Sequence, residues 1–407
     1  MHGGKAGAPW AKGLIQDPEL RVFTDPSSGV RIQQFTAAPA ISHPSYFLQS
    51  SFTPCMTQLV FTSYRSGTAQ LHAASLPDGE LLQLTDGPPI HPYSASIHPL
   101  GQFVFFVRGG EVWRLSLDSL AETRVVALDG AQLGEVSMSA DGQWLACAGK
   151  QGTQNGIALG CADGSQWSWI PFPRTIIHPQ FHPLDSNWLE FAADPAPRMF
   201  RVRRDGTGPE CLLTHDNETF VVHETFLGAT GDLLFTIWPG QLCRMPWAGH
   251  GQWTVIARFN AWHIAPDRAG RRVLCDTNHP DEGIFLVNAM TGERELVCLS
   301  LASNQGSQWT QSRYALAEDF ARARQAQQAS NLIPGKQALS WMEVSTDTVY
   351  GPQFTHPHPS FSADERFIAF ASDRGWDGNN GAITQVYVAD LTSHPKWETL
   401  KAWAEGS

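Results

Sequence analysis

Near the C-terminal end, the run Gln353-Phe354-Thr355-His356-Pro357-His358 carries the strongest local pattern for metal chemistry. Side chains alternate along an extended chain, so His356 and His358 point the same way and can share one ion. Gln353 can curl back to offer an amide oxygen, and His263, from a neighbouring repeat, can complete the set. Three neutral imidazoles and an amide oxygen suit a borderline divalent metal such as manganese, iron, nickel or zinc. With no carboxylate or thiolate ligand the ion keeps its full charge, which is what an anionic ligand requires. His-x-His also arises by chance, and a histidine near a strand end is usually a satisfied hydrogen-bonding residue, so the motif alone leaves both readings open.

The elements that must position these residues come from a repeat. Seven copies share an apolar position, a turn rich in Pro, Asp and Gly, and then an apolar run. They begin at Ser50 (SSFTPCMTQLVFTS), Ser94 (SASIHPLGQFVFFV), Glu135 (EVSMSADGQWLACA), His178 (HPQFHPLDSNWLEFA), His223 (HETFLGATGDLLFT), His263 (HIAPDRAGRRVLCD) and His358 (HPSFSADERFIAFAS). Most lie about forty residues apart, the spacing of one four-stranded propeller blade. Runs such as FVFFV and FIAFA are apolar at every position, as strands buried on both faces must be. Asp141–Gly142 and Gly231–Asp232 supply the positive φ of tight hairpin turns. The expected fold is therefore all-β: one seven-bladed β-propeller spanning 1–407. Residues 29–36 (GVRIQQFT) have no blade of their own and are expected to close the ring as the outer strand of the last blade. Residues 1–20 are expected to be loose. Residues 304–349 form an insertion between blades six and seven, whose middle, residues 314–330, has helical composition. That insertion is either a lid over the central mouth or a surface ornament.

Aligned on the apolar residue before each first turn, the copies place Gln49, Ser94, Glu135, His178, His223, His263 and His358 at one level of the ring. Polar groups at equivalent positions of the innermost strands are costly in a packed core. They call for a polar funnel, water or a metal. His98, His182 and His215 fall in turn segments and read as surface residues, and the recurring turn acids Asp141 and Asp364 as turn formers.

Composition narrows the function. Hydrophobic residues make up 42% and charged residues 16%, which excludes a disordered chain. The net charge is −11 and no Lys/Arg block occurs, so a nucleic-acid partner is not expected. An acidic chain that binds a polyanion must concentrate cations in one cleft. Seven dispersed cysteines without a CxxC spacing argue against thiolate zinc and against a disulfide framework. The opening MHGGKAGAPWAKG lacks an apolar signal core, and no segment reaches membrane-spanning length. A cytoplasmic protein without a membrane partner is the expectation.

With those residues in view, THPHPSFSADERFIAFASDRG resembles the C-terminal signature of bacterial oligogalacturonate lyases, cytoplasmic pectin-degradation enzymes with a seven-bladed propeller. The resemblance extends to TDPSSGVRIQQFT, ISHPSYF, HPQF at His178, RMFRVRRDG at Arg198, HETF at His223 and AWHIAPD at His263. It implies that His263, Gln353, His356 and His358 bind a divalent metal, usually Mn2+. It implies His223 as general base and Arg198 as the residue that binds a substrate carboxylate, with His43 and His178 in the same substrate cleft. The implied reaction is β-elimination on short galacturonides. A base removes the C5 proton, the C4–O bond breaks, and positive groups oppose the charge that builds on the carboxylate. Two peripheral segments depart from the family: AADPAP before Arg198 is shorter, and the insertion before Gln353 is larger. Such departures around a retained centre suit another uronate or acidic glycoside as substrate. Two other readings compete. One is a non-catalytic propeller that binds protein or glycan. The other is an epimerase or hydrolase that uses the same metal and base on another acidic sugar.

Overall fold

The computed structural model describes residues 11–194, 196–216, 219, 221–237, 239–277, 281–302, 356–374 and 383–406. The insertion expected at 304–349, with its helical middle, and Gln353 lie outside the described residues. The described strands form seven antiparallel sheets, the seven blades of a β-propeller. Blade 4 shows the plan. Thr175–His182 is innermost, followed outward by Asp185–Asp194, Met199–Arg203 and Glu210–Cys211.

No single core fills the molecule. Seven apolar clusters lie between successive blades instead. The strand Phe103–Arg108 explains why. Val104 and Phe106 join the cluster shared with blade 1, while Phe105 and Val107 join the cluster shared with blade 3. An apolar residue at every position is thus used on both faces, and the polar ring level is left for the axis.

Ring closure follows the sequence expectation. Arg31–Gln34 pairs with Gln385–Asp390 in blade 7, with Ile32 opposite Ala389, and Arg21–Thr24 adds a further outer strand. Ile15–Gln16 lies along the outer strand of blade 1. Gly142 and Gly231 have φ of 72° and 74°, as their turns require. One element was not anticipated: a C-terminal helix, Trp397–Glu405, which buries Leu400 and Trp403 in the seam between blades 6 and 7. Arg272 locks it there, reaching Asp267 (2.8 Å), Glu365 (2.6 Å) and the Leu400 carbonyl (3.4 Å). All seven cysteines are free. Among the described residues no helix is long and apolar enough to cross a membrane.

Blade 1 departs from the aligned repeat. Its innermost strand is Ser42–Pro44, not the segment around Gln49. Residues 45–51 then leave the sheet before Phe52 rejoins it opposite Leu59. Gln49 instead accepts a hydrogen bond from Ser96 (3.0 Å). The detour places Tyr46 and Phe47 on the propeller axis, because these two rings touch histidines of blades 4, 5, 6 and 7.

Candidate functional site

The ring-level residues reach the channel through a local device. The pairing register slips at Leu133/Val136, Ile177/Gln180 and Val222/Thr225, which are bulges in the innermost strands of blades 3, 4 and 5. Glu135, His178 and His223 sit in these bulges. His178 and His223 have φ of 55° and 57°, and His358 has 44°. A non-glycine residue in the left-handed region costs about 1–2 kcal/mol, and bulges re-aim side chains. Three histidines of one ring share this backbone conformation, which fits strain held at a functional site.

His263, His356 and His358 come together: one nitrogen from each lies within 4.8 Å of the others, and all three residues are buried. Nitrogens bound at about 2.1 Å to one ion stand some 3–4 Å apart, so small ring rotations close the set. The donor chemistry also fits. His263 Nδ1 donates to the Asp276 carboxylate at 2.7 Å, which fixes the tautomer and leaves Nε2 for an ion. Burial pushes His263 and His358 well below the ordinary imidazole value, so both are neutral and hold lone pairs. Phe47 and Trp262 pack around the set, with Phe47 5.2 Å from the His263 ring and Trp262 6.5 Å from the His356 ring.

His223 stands against this group, 4.7 Å from the His263 ring and edge-on to Trp262 at 4.5 Å. Its Nδ1 is buried with no hydrogen-bond partner among the described residues. Burial first, and then neighbouring cationic forms, hold it well below its ordinary value. His178 faces the other half of the channel. Its Nε2 lies 3.1 Å from the Tyr46 hydroxyl, and its Nδ1 lies 3.6 Å from Glu135. The latter contact is too long for a hydrogen bond. Burial lowers His178 to about 3 and raises Glu135 to about 7, so the pair is not a firm ion pair near neutrality. His43 is buried in blade 1, its Nδ1 donating to the Pro44 carbonyl (2.9 Å) and its ring 4.4 Å from Tyr93. Tyr93 in turn touches His358 at 5.2 Å, so His43 belongs to the same channel.

Arg198 is buried behind this level. It donates to both oxygens of Glu224, at 2.8 and 3.2 Å, and to Asp194. Three of a guanidinium's five N–H groups are thereby used, which leaves two for another acceptor. Its backbone N–H donates to His215 Nε2 at 3.0 Å. His215 is therefore a supporting residue rather than a plain surface one. His182 is likewise buried, packed on Phe226 and Trp247, because its turn folds under blade 5.

Sequence reasoning missed Asp276, Glu224, Asp194 and the positions of Tyr46 and Phe47. Asp276 had a signal: the hairpin pairs Ile264 with Cys275, and one step back sets His263 beside Asp276. Glu224 follows His223 directly, but its partner Arg198 lies on another blade.

No family model matches the chain. It is similar to an oligogalacturonate lyase of Dickeya dadantii (strain 3937), 20% identical over 89% of this chain and 95% of that protein. Among solved structures it superposes on an oligogalacturonate lyase in complex with manganese, with a TM-score of 0.74 and 17% identity, covering 96% of this chain and 100% of the other. An oligogalacturonate lyase from Vibrio parahaemolyticus gives a TM-score of 0.70 at 17% identity, covering 94% and 99%. These likenesses show a shared fold along nearly the whole chain.

Proposed function

We propose that the chain is a divalent-metal lyase that cleaves short oligogalacturonides, or a related uronate, by β-elimination. One observation carries the reading. Three imidazoles converge within 4.8 Å beside a fourth, whose Nδ1 has no hydrogen-bond partner among the described residues, in a channel that Phe47 and Trp262 wall with apolar surface. The fold shared with an oligogalacturonate lyase in complex with manganese supports it.

His263, His356 and His358 would hold the ion, with Mn2+ favoured by that likeness, and Gln353 is proposed as a further ligand. When bound, a divalent cation supplies positive charge opposite the uronate carboxylate. His223 is neutral and accepts the proton from C5 at its buried imidazole. The C5–H electrons form the C4=C5 bond as the C4–O bond breaks, and the departing sugar oxygen keeps that bond's electron pair and takes a proton from water. Arg198 offers guanidinium N–H groups to a substrate carboxylate. His43 and His178 bind the sugar in the same channel, and the Tyr46–Phe47 turn closes its axis.

The test is metal content together with an ultraviolet assay for unsaturated product on digalacturonate, with and without manganese. His223→Ala is expected to keep about one metal per chain and to lose at least about 100-fold in turnover, as loss of a general base does. His358→Ala is expected to lose both. Full activity in the His358 variant, or equal metal loss in the His223 variant, would overturn the assignment of roles.

A further inference from the structure

The surroundings of Arg198 contain more negative charge than one cation balances. Glu224, fully buried, grips Nε and Nη2 from the inner side. Asp194 takes Nη1 from the outer side, its side chain 32% exposed where Arg198 is 5% exposed. Glu190, also fully buried, has one oxygen without a partner among the described residues, and burial and the charge of Glu224 push its carboxyl well above the usual range. One guanidinium thus stands against two carboxylates, those of Glu224 and Asp194. As long as Asp194 stays in place, it holds the Nη1 that an approaching uronate carboxylate would take, and it repels that carboxylate.

Asp194 is the partner that can leave. It ends the strand Asp185–Asp194, four residues before Arg198, and the hairpin rejoins where Ala193 N–H donates to the Arg198 carbonyl (2.8 Å). A second cation stands beside it. Asp194 pairs across the sheet with Thr175, which sets Arg174 next to it. Arg174 is half-buried, its guanidinium stacked over Phe200 at 4.9 Å. Charge interactions link Arg174 to both Asp194 and Arg198.

We infer that Asp194 is a built-in occupant of an anion subsite, that a substrate carboxylate displaces it from Arg198, and that Arg174 is the second cation of that subsite. The inference rests on the uronate reading above and adds to it a residue that sets affinity. The Asp194 side chain is partly exposed, so it can turn toward water while Glu224 keeps its hold on Arg198. The carboxylate of Asp194 makes the site weak for monoanions, because each must compete with it. A ligand with two carboxylates, one at the histidine cluster and one here, gains from both.

The experiment is calorimetric titration of digalacturonate into the manganese-loaded full-length protein and its Asp194→Asn and Arg174→Gln variants, with metal content and melting temperature recorded for each. Asp194→Asn is expected to bind about five-fold tighter and Arg174→Gln about five-fold weaker, the scale of one partly screened charge. KM should follow these changes while kcat and metal content stay constant, a split that a merely structural role would not produce. Equal or weaker binding by Asp194→Asn, with normal binding by the unaltered protein, overturns this inference alone. Unchanged binding by Arg174→Gln removes the second cation and overturns the two-arginine subsite. No binding by any of the three overturns the inference together with the uronate reading.

Discussion

His263 shows how one side chain is prepared for its role. Both its backbone N–H and its Nδ1 are held by Asp276, at 3.0 and 2.7 Å, and Asp276 is fully buried. The carboxylate selects the tautomer and the ring angle and makes Nε2 a better donor to a cation. Asp276→Asn keeps the shape but offers an amide in place of the carboxylate. Manganese affinity, measured by chelator competition, should fall by about 10–100-fold with little change in thermal stability. Unchanged affinity would mean that His263 is oriented by its backbone alone. His223 is the contrast: the same residue type, 4.7 Å away, with its Nδ1 unpaired among the described residues. In the proposed roles, His263 as ligand and His223 as proton acceptor differ in that a carboxylate stands behind His263.

At the level of elements, three innermost strands are interrupted where ring-level residues lie, and the pairing of the second strands with the third is regular. Bulges at His178 and His223 aim side chains at the axis, while Phe103–Arg108 runs unbroken between two apolar clusters. The strain at the bulges is held by the packing outside them. Phe106 is fully buried in the cluster between blades 1 and 2. Phe106→Ala removes that ring and leaves a cavity, which should cost about 3–5 kcal/mol in urea unfolding. A loss under about 1 kcal/mol would show that the blades repack freely. The turn at 45–51 works in the opposite sense: it sacrifices regular pairing in blade 1 to carry two aromatic rings to the axis.

For the whole molecule, the closed ring places its apolar clusters between blades and gathers buried imidazoles around the axis, at an energetic cost that depends on pH. Burial lowers His43 and His91 to about 4 and His178 to about 3, against an ordinary 6.5. As pH falls through 6.5 the unfolded chain takes up these protons and the folded chain does not, until its own lower values are reached. The stability contributed by the neutral rings is therefore present above 6.5 and withdrawn as pH falls toward 4. Glu135, raised by burial to about 7 from 4.5, acts in the other direction: its contribution is complete below 4.5 and lost as pH rises through 7. Three imidazoles outweigh one carboxyl, so the unfolding temperature should drop between about pH 7 and about pH 5. A rise over that interval, measured by scanning calorimetry, would show that the channel histidines are protonated in the folded state.

The blades, the closing strand at residues 29–36 and the His356-Pro357-His358 pair were legible because each is encoded locally. An apolar run, a turn with Gly142 or Gly231, and a period near forty residues need no knowledge of the partner blade. The likeness to oligogalacturonate lyases was legible for the same reason, in short motifs around those histidines. Tertiary structure decided everything that required two distant segments to meet. Tyr46 reaches His178 across 132 positions, Arg198 finds Glu224 on the next blade, and Gln49, which the aligned repeat placed on the channel, gives way to Tyr46 and Phe47. Side chains buried on the axis must satisfy their polar atoms against whichever neighbours the closed ring supplies. No single repeat contains that information, so the residues that tune the site became visible only once the seven blades had closed.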